Sequence, residues 1–189
     1  MYDAILNREV VSDAKICKLV GVGTFIIFMV LGAFVRIPLP FTPVPWTLQT
    51  FFVLLSGAML AGNLGAISQA GYAVLGIAGL PVFVNAGSGG AYLLGPTGGY
   101  IAGFIIASFF LGRTIKTFGN SLFSVFFLMC FADALLLLTG ALWLKILLGC
   151  GTEKALAIGF LPFIPGDLFK AAAAAIIYIK IRPRIRKIF

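Results

Sequence analysis

Six long apolar stretches constrain the fold of this chain more than any other feature of its sequence. About 20 consecutive apolar residues allow an α-helix to cross a bilayer, so the stretches predict six transmembrane helices. Their predicted bounds are residues 16–36, 48–62, 64–80, 99–117, 120–148 and 161–182. The second and third stretches are short, and the fifth is long enough to be tilted. We therefore expect an all-α membrane protein, with residues 1–189 forming a single integral membrane domain in a lipid bilayer.

The overall composition agrees with this interpretation. Hydrophobic residues make up 61% of the chain and charged residues 11%, whereas a typical soluble domain carries about 25% charged residues. The first apolar stretch is too long for the apolar region of a cleaved signal peptide. We therefore interpret it as a retained membrane span.

Positively charged residues are distributed unevenly between the two sides of the predicted bundle. The chain has 14 Lys and Arg residues and a formal charge of +8. One side of the bundle receives ten of the 14: Arg8, Lys15, Lys18, Arg113, Lys116, Lys180, Arg182, Arg184, Arg186 and Lys187. Because Lys and Arg are enriched on the cytoplasmic side of membrane proteins, both termini are predicted to be cytoplasmic. Three longer connections, residues 37–47, 81–98 and 149–160, then face outward.

Several classes of function lack their sequence signals. Histidine is absent, and Cys17, Cys130 and Cys150 form no C-x-x-C pair, so neither a metal site nor a disulfide framework is predicted. There is no phosphate-binding loop, so we do not expect the chain to hydrolyse ATP by itself. No catalytic serine or histidine set occurs, and no basic and aromatic motif indicates nucleic acid. We predict neither catalytic residues nor a cofactor.

The sixth stretch opens with an acid and a base, Asp167 and Lys170. Residues three apart on a helix share a face and can touch, and Pro165 suits a first helical turn. Ionisable residues inside a membrane helix are costly and default to a functional interpretation, although a neutralised structural pair is the alternative. Asp133, in the middle of the fifth stretch, is the other buried acid. It can pair with Lys170, support a polar network or meet a partner helix, and the sequence leaves these open.

The first outer connection contains four prolines between residues 38 and 45. Proline keeps the backbone extended and removes N–H donors, so this segment can cross the mouth of the bundle. Trp46 follows, and it serves either as an anchor at the membrane interface or as part of a cavity wall. Gln49 is expected to face the bundle, because lipid offers it no hydrogen-bonding partner.

The second outer connection is too apolar to be a freely solvated loop. We expect it to fold into the mouth of the bundle, with a flexible loop as the alternative. Asn85 supplies donors and acceptors, and the glycines, Gly90 among them, let the backbone approach a ligand. Phe83 and Tyr92, together with Trp46, can pack on an apolar part of that ligand. The outer side is therefore predicted to hold a pocket for a small molecule that is part apolar and part hydrogen-bonding.

Two stretches of small residues predict close helix packing. Gly95, Gly99, Gly103 and Ala107 recur every four residues, a spacing that lets one helix approach a neighbour closely. Ala171–Ala175 has the same effect on the sixth helix.

Four segments together resemble the BioY family, the biotin-binding S-components of energy-coupling factor transporters. They are the prolines followed by Thr47-Leu48-Gln49, and the segments 79–83, 95–100 and 165–170. The resemblance implies a six-helix S-component fold in a bacterial cell membrane, with capture of biotin from outside. It also implies coupling to a transmembrane T-component and two cytoplasmic ATPase subunits.

By that resemblance, Asn85, Asp167 and Lys170 match polar ligand-binding positions, and Gln49 and Tyr92 are further candidates. Asp167 and Asn85 would accept the two ureido N–H groups of biotin, and Lys170 would meet the ureido carbonyl. The carboxylate of biotin would point towards the first outer connection.

One feature departs from the family pattern. S-components often carry an Ala-x-x-x-Ala motif in the first helix for docking on the T-component, and the first span here has only the small residues Gly21, Gly23, Gly32 and Ala33. Two rival functions stay open at this point. One is a stand-alone secondary transporter with Asp133, Asp167 and Lys170 as a proton relay. The other is a membrane enzyme or a non-catalytic scaffold.

Overall fold

The computed structural model describes residues 14–60 and 62–185. Arg8, Arg186 and Lys187 lie outside these ranges, as do both ends of the predicted domain. The elements follow in chain order: α1 (Ala14–Phe34), β1 (Arg36–Ile37), β2 (Trp46–Thr47), α2 (Gln49–Leu60), α3 (Leu64–Ile77), a 3-10 turn (Val84–Ala86), α4 (Gly90–Leu93), α5 (Gly98–Phe118), α6 (Leu122–Leu148), α7 (Thr152–Gly159) and α8 (Ile164–Ile185). The structure is therefore mostly helical, as predicted.

Among the described residues, three helices are long and apolar enough to cross a membrane. They are the segments Lys15–Phe34, Gly98–Phe118 and Leu122–Leu148, and a fourth candidate exists if α7 and α8, which meet at a bend of 52°, count as one span. The helices α2 and α3 are apolar but have only 12 and 14 residues. Each of the six predicted stretches overlaps one longer helix, and length and composition qualify three or four spans among the described residues.

The last outer connection, residues 149–160, has a helix within it. It was predicted as a connection between two spans, and it contains the eight-residue helix α7. Glu153 in its first turn favours a helix because it complements the positive end of the helix dipole. Ala155 is buried, so α7 packs one face onto the bundle.

The helices pack as a bundle in which α5 makes the most extensive contacts with other helices. α5 packs most extensively on α6 and also contacts α2 and α3, while α8 contacts α2 and α6. α1 packs on α2 and α3, and α7 packs on α6. The helices α2, α5 and α8 begin, and α3 ends, around one region, which is where the cavity described below lies.

The ends of α6 carry clear local signals. The Ser121 side chain accepts a hydrogen bond of 3.2 Å from the backbone N–H of Ser124, which satisfies one of the free donors of the first turn. At the other end Gly149 adopts a left-handed conformation with φ of 59°, the usual backbone of a glycine that terminates a helix.

Three of the four residues in the predicted stripe, Gly99, Gly103 and Ala107, lie on α5 and form a packing surface, whereas Gly95 lies before the helix. A side-chain carbon added at Gly99 would collide with Trp143, and one added at Gly103 would collide with Thr139 and Leu136. Ala107 is fully buried. On α8, Ala171, Ala174 and Ala175 are buried as well, so the alanine run also lies at a close helix contact.

Candidate ligand-binding site

A cavity of about 510 Å³, including space open to solvent, lies where α2, α3, α5 and α8 meet the first and second connections. We call it the main cavity. The cavity is lined by the first and second connections, by α2, α3, α4, α5, α6 and α8, and by Phe163 just before α8. The lining residues are Val44, Pro45, Thr47, Gln49, Thr50, Tyr72, Phe83, Val84, Tyr92, Thr97, Tyr100, Ile101, Phe104, Leu137, Phe163, Asp167 and Lys170.

Lys170 is held by three acceptors in the wall of the main cavity. Its Nζ donates to Asp167 Oδ1 at 2.6 Å, to the Thr47 carbonyl oxygen at 2.6 Å and to Thr50 Oγ1 at 2.8 Å. A lysine ammonium has three N–H donors, so these bonds use all of them. Its side chain is only 6% exposed. A ligand oxygen can therefore reach Lys170 only by replacing one of the present acceptors.

Asp167 is the counter-ion of Lys170 and is more deeply buried, at 2% exposure. Its Oδ1 accepts from Lys170 and also from Thr50 Oγ1 at 3.0 Å. Its Oδ2 is buried without a hydrogen-bonding partner among the described residues. An ionised carboxylate offers about four lone-pair sites, so Asp167 keeps capacity to accept hydrogen bonds from a ligand.

A second polar chain links α2 to the second connection. Gln49 Nε2 donates to Tyr72 Oη at 2.8 Å, and Tyr72 Oη donates to the Val82 carbonyl oxygen at 3.2 Å. Gln49 is 3% exposed and Tyr72 is 1% exposed. These bonds attach the start of the 81–98 connection to the wall of the main cavity.

Aromatic rings form much of the remaining wall. Phe83 stacks on Tyr92 with ring centroids 4.6 Å apart and meets Tyr72 edge to face at 5.5 Å. Tyr100 packs near Phe163, and its hydroxyl donates to the Gly159 carbonyl oxygen at 2.6 Å. The main cavity therefore presents a charged end at α8 and an aromatic wall at α3, α4 and α5.

Trp46 covers the charged end rather than lining the main cavity. Lys170 Nζ lies 3.9 Å from the centre of its ring, a cation–π contact that stabilises a desolvated ammonium. A side-chain carbon at Gly166 would collide with the Trp46 ring, so the indole also lies flat against the first turn of α8. Trp46 therefore packs against Lys170 without lining the main cavity itself.

The first connection folds back on itself. β1 and β2 pair antiparallel, with Arg36 opposite Thr47 and Ile37 opposite Trp46. The expected crossing of the bundle mouth is therefore replaced by a hairpin, and residues 38–43 do not line the main cavity. The hairpin reaches the cavity through Val44, Pro45 and Thr47.

Of the predicted site residues, the structure brings together Gln49, Phe83, Tyr92, Asp167 and Lys170 at the main cavity. Asn85 and Gly90 are exposed, and neither lines the main cavity. Asn85 occupies a left-handed conformation with φ of 63°, which asparagine tolerates better than most residues. In this conformation its side chain belongs to the surface of the 3-10 turn.

Two residues of the polar network were missed at the level of sequence. Thr50 bridges Asp167 and Lys170, and Tyr72 holds Gln49. Both are polar residues inside apolar stretches, and this signal could have identified them, because lipid offers such groups no partner. The described residues contain no group of three or more His, Cys, Asp or Glu side chains placed to hold a metal ion.

Comparison with known proteins gives a consistent result. The model of the BioY family matches residues 7–187. The chain is 36% identical to the biotin transporter BioY of Thermotoga maritima over 175 residues, covering 87% of this chain and 95% of the relative. It is 41% identical to the probable biotin transporter BioY of Pyrococcus horikoshii over 158 residues, covering 82% and 90% respectively.

A solved structure shares the fold. The crystal structure of the S-component for biotin from an ECF-type ABC transporter superposes with a TM-score of 0.83 at 28% identity, covering 89% of this chain and 92% of that chain.

Proposed function

Because the chain belongs to the BioY family, we propose that it is the biotin-binding S-component of an energy-coupling factor transporter. The observation that carries this proposal is the composition of the main cavity, which combines one buried ion pair with an aromatic wall. Biotin has matching parts, since a polar ureido group is fused to an apolar thioether ring and an aliphatic chain. The protein is thus a substrate-binding transporter subunit and not an enzyme.

The charged end of the main cavity is suited to the ureido group. Asp167 accepts a ureido N–H through its unused lone pairs, and Lys170 donates to the ureido oxygen. Because the three N–H donors of Lys170 are already in use, the ureido oxygen replaces one acceptor. The Thr47 carbonyl oxygen and Thr50 Oγ1 are neutral, and bonds between two charged groups are the stronger ones, so one of these two acceptors is exchanged.

The aromatic wall is suited to the rest of biotin. Phe83 and Tyr92 present stacked rings to the main cavity, and these rings cover the thioether ring and the valeryl chain. The carboxylate then points towards the hairpin of the first connection. Gln49 and Tyr72 set the position of the 81–98 connection, while Asn85 and Gly90 contact biotin only when that connection closes further.

We also propose that the chain crosses the membrane six times, with both termini in the cytoplasm. Arg182 donates to the Gly119 carbonyl oxygen at 2.7 Å, and Arg113 Nε donates to Asn63 Oδ1 at 3.0 Å. These bonds support one common end for the turn between α2 and α3, the turn between α5 and α6, and the end of α8. That end carries the excess of basic residues and faces the cytoplasm of a bacterial cell. The partners on this side are the T-component and two ATPase subunits, which supply the energy from ATP.

A titration of the purified protein with biotin tests the binding step. We expect saturable binding of one biotin, and no competition from a fatty acid that shares the chain but lacks the ureido group. An absence of saturable biotin binding by folded protein would overturn the proposal.

Uptake into vesicles tests the transport step. Vesicles that contain the chain together with a T-component and two ATPases should accumulate biotin only when ATP is supplied. Equal accumulation without the ATPases, driven by a pH gradient, would instead support the stand-alone transporter.

A further inference from the structure

A second cavity lies behind Asp167, between α6, α8 and the bend that precedes α8. Its volume is about 420 Å³, including space open to solvent, and its lining includes Asp133, Leu137, Phe160, Ile164 and Asp167. Asp167 and Leu137 also line the main cavity, so these two side chains form a wall shared by both cavities. Asp133 lines only the second one.

Each of the two acids keeps a buried oxygen that the protein does not satisfy. Asp133 is 6% exposed and Asp167 is 2% exposed. Asp133 Oδ1 and Asp167 Oδ2 have no hydrogen-bonding partner among the described residues. A buried polar atom without a partner is costly, and a buried charge without a partner is costlier still. Because both residues line the second cavity, one shared positive partner there can satisfy both.

The charges around the second cavity do not balance. Asp133 interacts electrostatically with Asp167 and Lys170 of α8. Cys130 lies beside Asp133 on α6, and Tyr100 of α5 interacts with Asp167. Phe160, the lining residue from the bend between α7 and α8, is apolar. Within the part of the chain that the structure describes, two ionised carboxylates would therefore share the single ammonium of Lys170, which leaves one negative charge uncompensated in an apolar bundle.

We propose that Asp133 and Asp167 together bind one proton across the second cavity, so that Asp133 is a neutral carboxylic acid while Asp167 stays ionised beside Lys170. Two nearby carboxylates that share one proton avoid the repulsion of two like charges. The proton supplies the missing positive charge, and a protonated carboxyl is a hydrogen-bond donor. This site does not depend on the identity of the transported solute. Its consequence for recognition, an Asp167 that is ionised and ready to accept a ureido N–H, rests on the proposed function.

Infrared spectroscopy of the ligand-free protein counts the protonated acids directly. The whole chain has only six acidic residues, so the carbonyl stretching band of a carboxylic acid, identified by its shift in heavy water, is readily assigned. At neutral pH the unsubstituted protein should show the band of one acid. Glu153→Gln, at an exposed residue, is the matched control and should leave that band unchanged.

Three further variants test whether the protonated acid belongs to the pair Asp133 and Asp167. Asp133→Asn should abolish the band. Asp167→Asn should also abolish it although Asp133 is still present, because the remaining acid then faces the one ammonium alone. Lys170→Met should increase the band about twofold, since both acids then lack a counter-charge. The three variants are independent, so a failure of one to fold leaves the count testable with the others.

Two results would overturn the proposal. One is a band that persists in Asp133→Asn, which would place the proton on another acid, or in Asp167→Asn, which would show that Asp133 is protonated without sharing. The other is an unsubstituted protein that shows no band and is stabilised by sodium relative to choline, which would assign the second cavity to a small cation. A parallel biotin titration separates these results from the proposed function, because the infrared count is made without biotin.

Discussion

The bundle buries two polar clusters that differ in chemistry and in what surrounds them. The charged cluster lines the main cavity and consists of Gln49, Thr50, Tyr72, Asp167 and Lys170. The serine–glutamine cluster joins α2, α3 and α5 and consists of Ser56, Ser68, Gln69 and Ser108. It lines neither of the two cavities described above. Burial alone therefore does not identify a binding site in this molecule.

The serine–glutamine cluster is a packing device. Gln69 Nε2 donates to Ser56 Oγ at 2.8 Å, and Ser56 Oγ and Ser108 Oγ lie 3.1 Å apart. The helices approach closely here, because an added side-chain carbon at Gly57 would lie 2.8 Å from the Ser108 carbonyl oxygen. Small residues and neutral hydrogen bonds are the usual means of joining membrane helices.

The charged cluster is different because its groups are expensive to bury. An acid and an ammonium each cost a few kcal/mol inside a membrane, about 2.5–3.5 by insertion experiments. Helix packing can be achieved by neutral residues, as the other cluster illustrates. We infer that the cost of the charged cluster is retained because the cavity beside it binds a polar ligand.

The largest expected effect comes from breaking the charged cluster. Asp167→Asn and Lys170→Met should each weaken biotin binding by about 3 kcal/mol, on the order of 100-fold, because each removes one of the two charged side chains that bind the ureido group. Calorimetric titration measures this loss. Glu153→Gln and Lys154→Met, at an exposed acid and base on α7, are matched controls that should bind as the unsubstituted protein does. Unchanged affinity in folded Asp167→Asn and Lys170→Met would reduce the pair to a structural role.

The next effect is on stability and concerns the serine–glutamine cluster. Gly57→Ala should destabilise the fold by about 1–3 kcal/mol, since the new carbon overpacks a close helix contact. Thermal unfolding in detergent measures the change. Gly23→Ala is the matched control, because nothing lies within 4 Å of the added carbon on α1. Equal melting temperatures for the two variants would show that the close approach is not needed, and loss of biotin affinity in folded Gly57→Ala would couple the two clusters.

A smaller effect is expected at the link to the second connection. Tyr72→Phe keeps the ring and removes the hydroxyl that accepts from Gln49 and donates to the Val82 carbonyl oxygen. Loss of a neutral hydrogen bond costs about 1 kcal/mol, so the two lost bonds should lower the free energy of unfolding by about 2 kcal/mol. Because the second connection is then held less firmly at the main cavity, biotin affinity should fall about fivefold, or about 1 kcal/mol. A full-affinity Tyr72→Phe would mean that the second connection is positioned without this link.

The smallest effect belongs to Ser108→Ala. Interhelical hydrogen bonds in membranes contribute about 0.6 kcal/mol on average, so the unfolding free energy should fall by about that amount. Biotin affinity should not change, because Ser108 lines neither described cavity. A loss of affinity comparable to that of Tyr72→Phe would contradict the separation of the two clusters.

Much of the fold could be predicted from the sequence because membrane helices are specified by long apolar stretches. The three-residue spacing of Asp167 and Lys170 predicted that they share one face of a helix, and their contact at 2.6 Å confirms this. The small residues Gly99 and Gly103 predicted a close helix contact, which the structure locates on α6.

The contacts that join distant segments could not be predicted in the same way. Thr50 meets Asp167 across a separation of 117 residues, and nothing in an apolar stretch says which face turns inward. The pairing of β1 with β2 and the exposed position of Asn85 depend on local loop geometry, which amino-acid composition does not determine. The sequence therefore indicated which residue types form the site, whereas tertiary packing decided which of them meet.

The central claim is that Lys170 and Asp167 bind the ureido group of biotin. A comparison of biotin with 2-iminobiotin tests this claim most directly. At neutral pH the imino analogue carries a positive charge where biotin has its carbonyl group. Titrations of the unsubstituted protein and of Lys170→Met with both ligands give four affinities. We predict that Lys170→Met weakens biotin and strengthens 2-iminobiotin, so that the ratio of the two affinities shifts by about 100-fold or more, about 2.7 kcal/mol. An unchanged ratio would contradict the claim, because Lys170 would then not face the ureido oxygen.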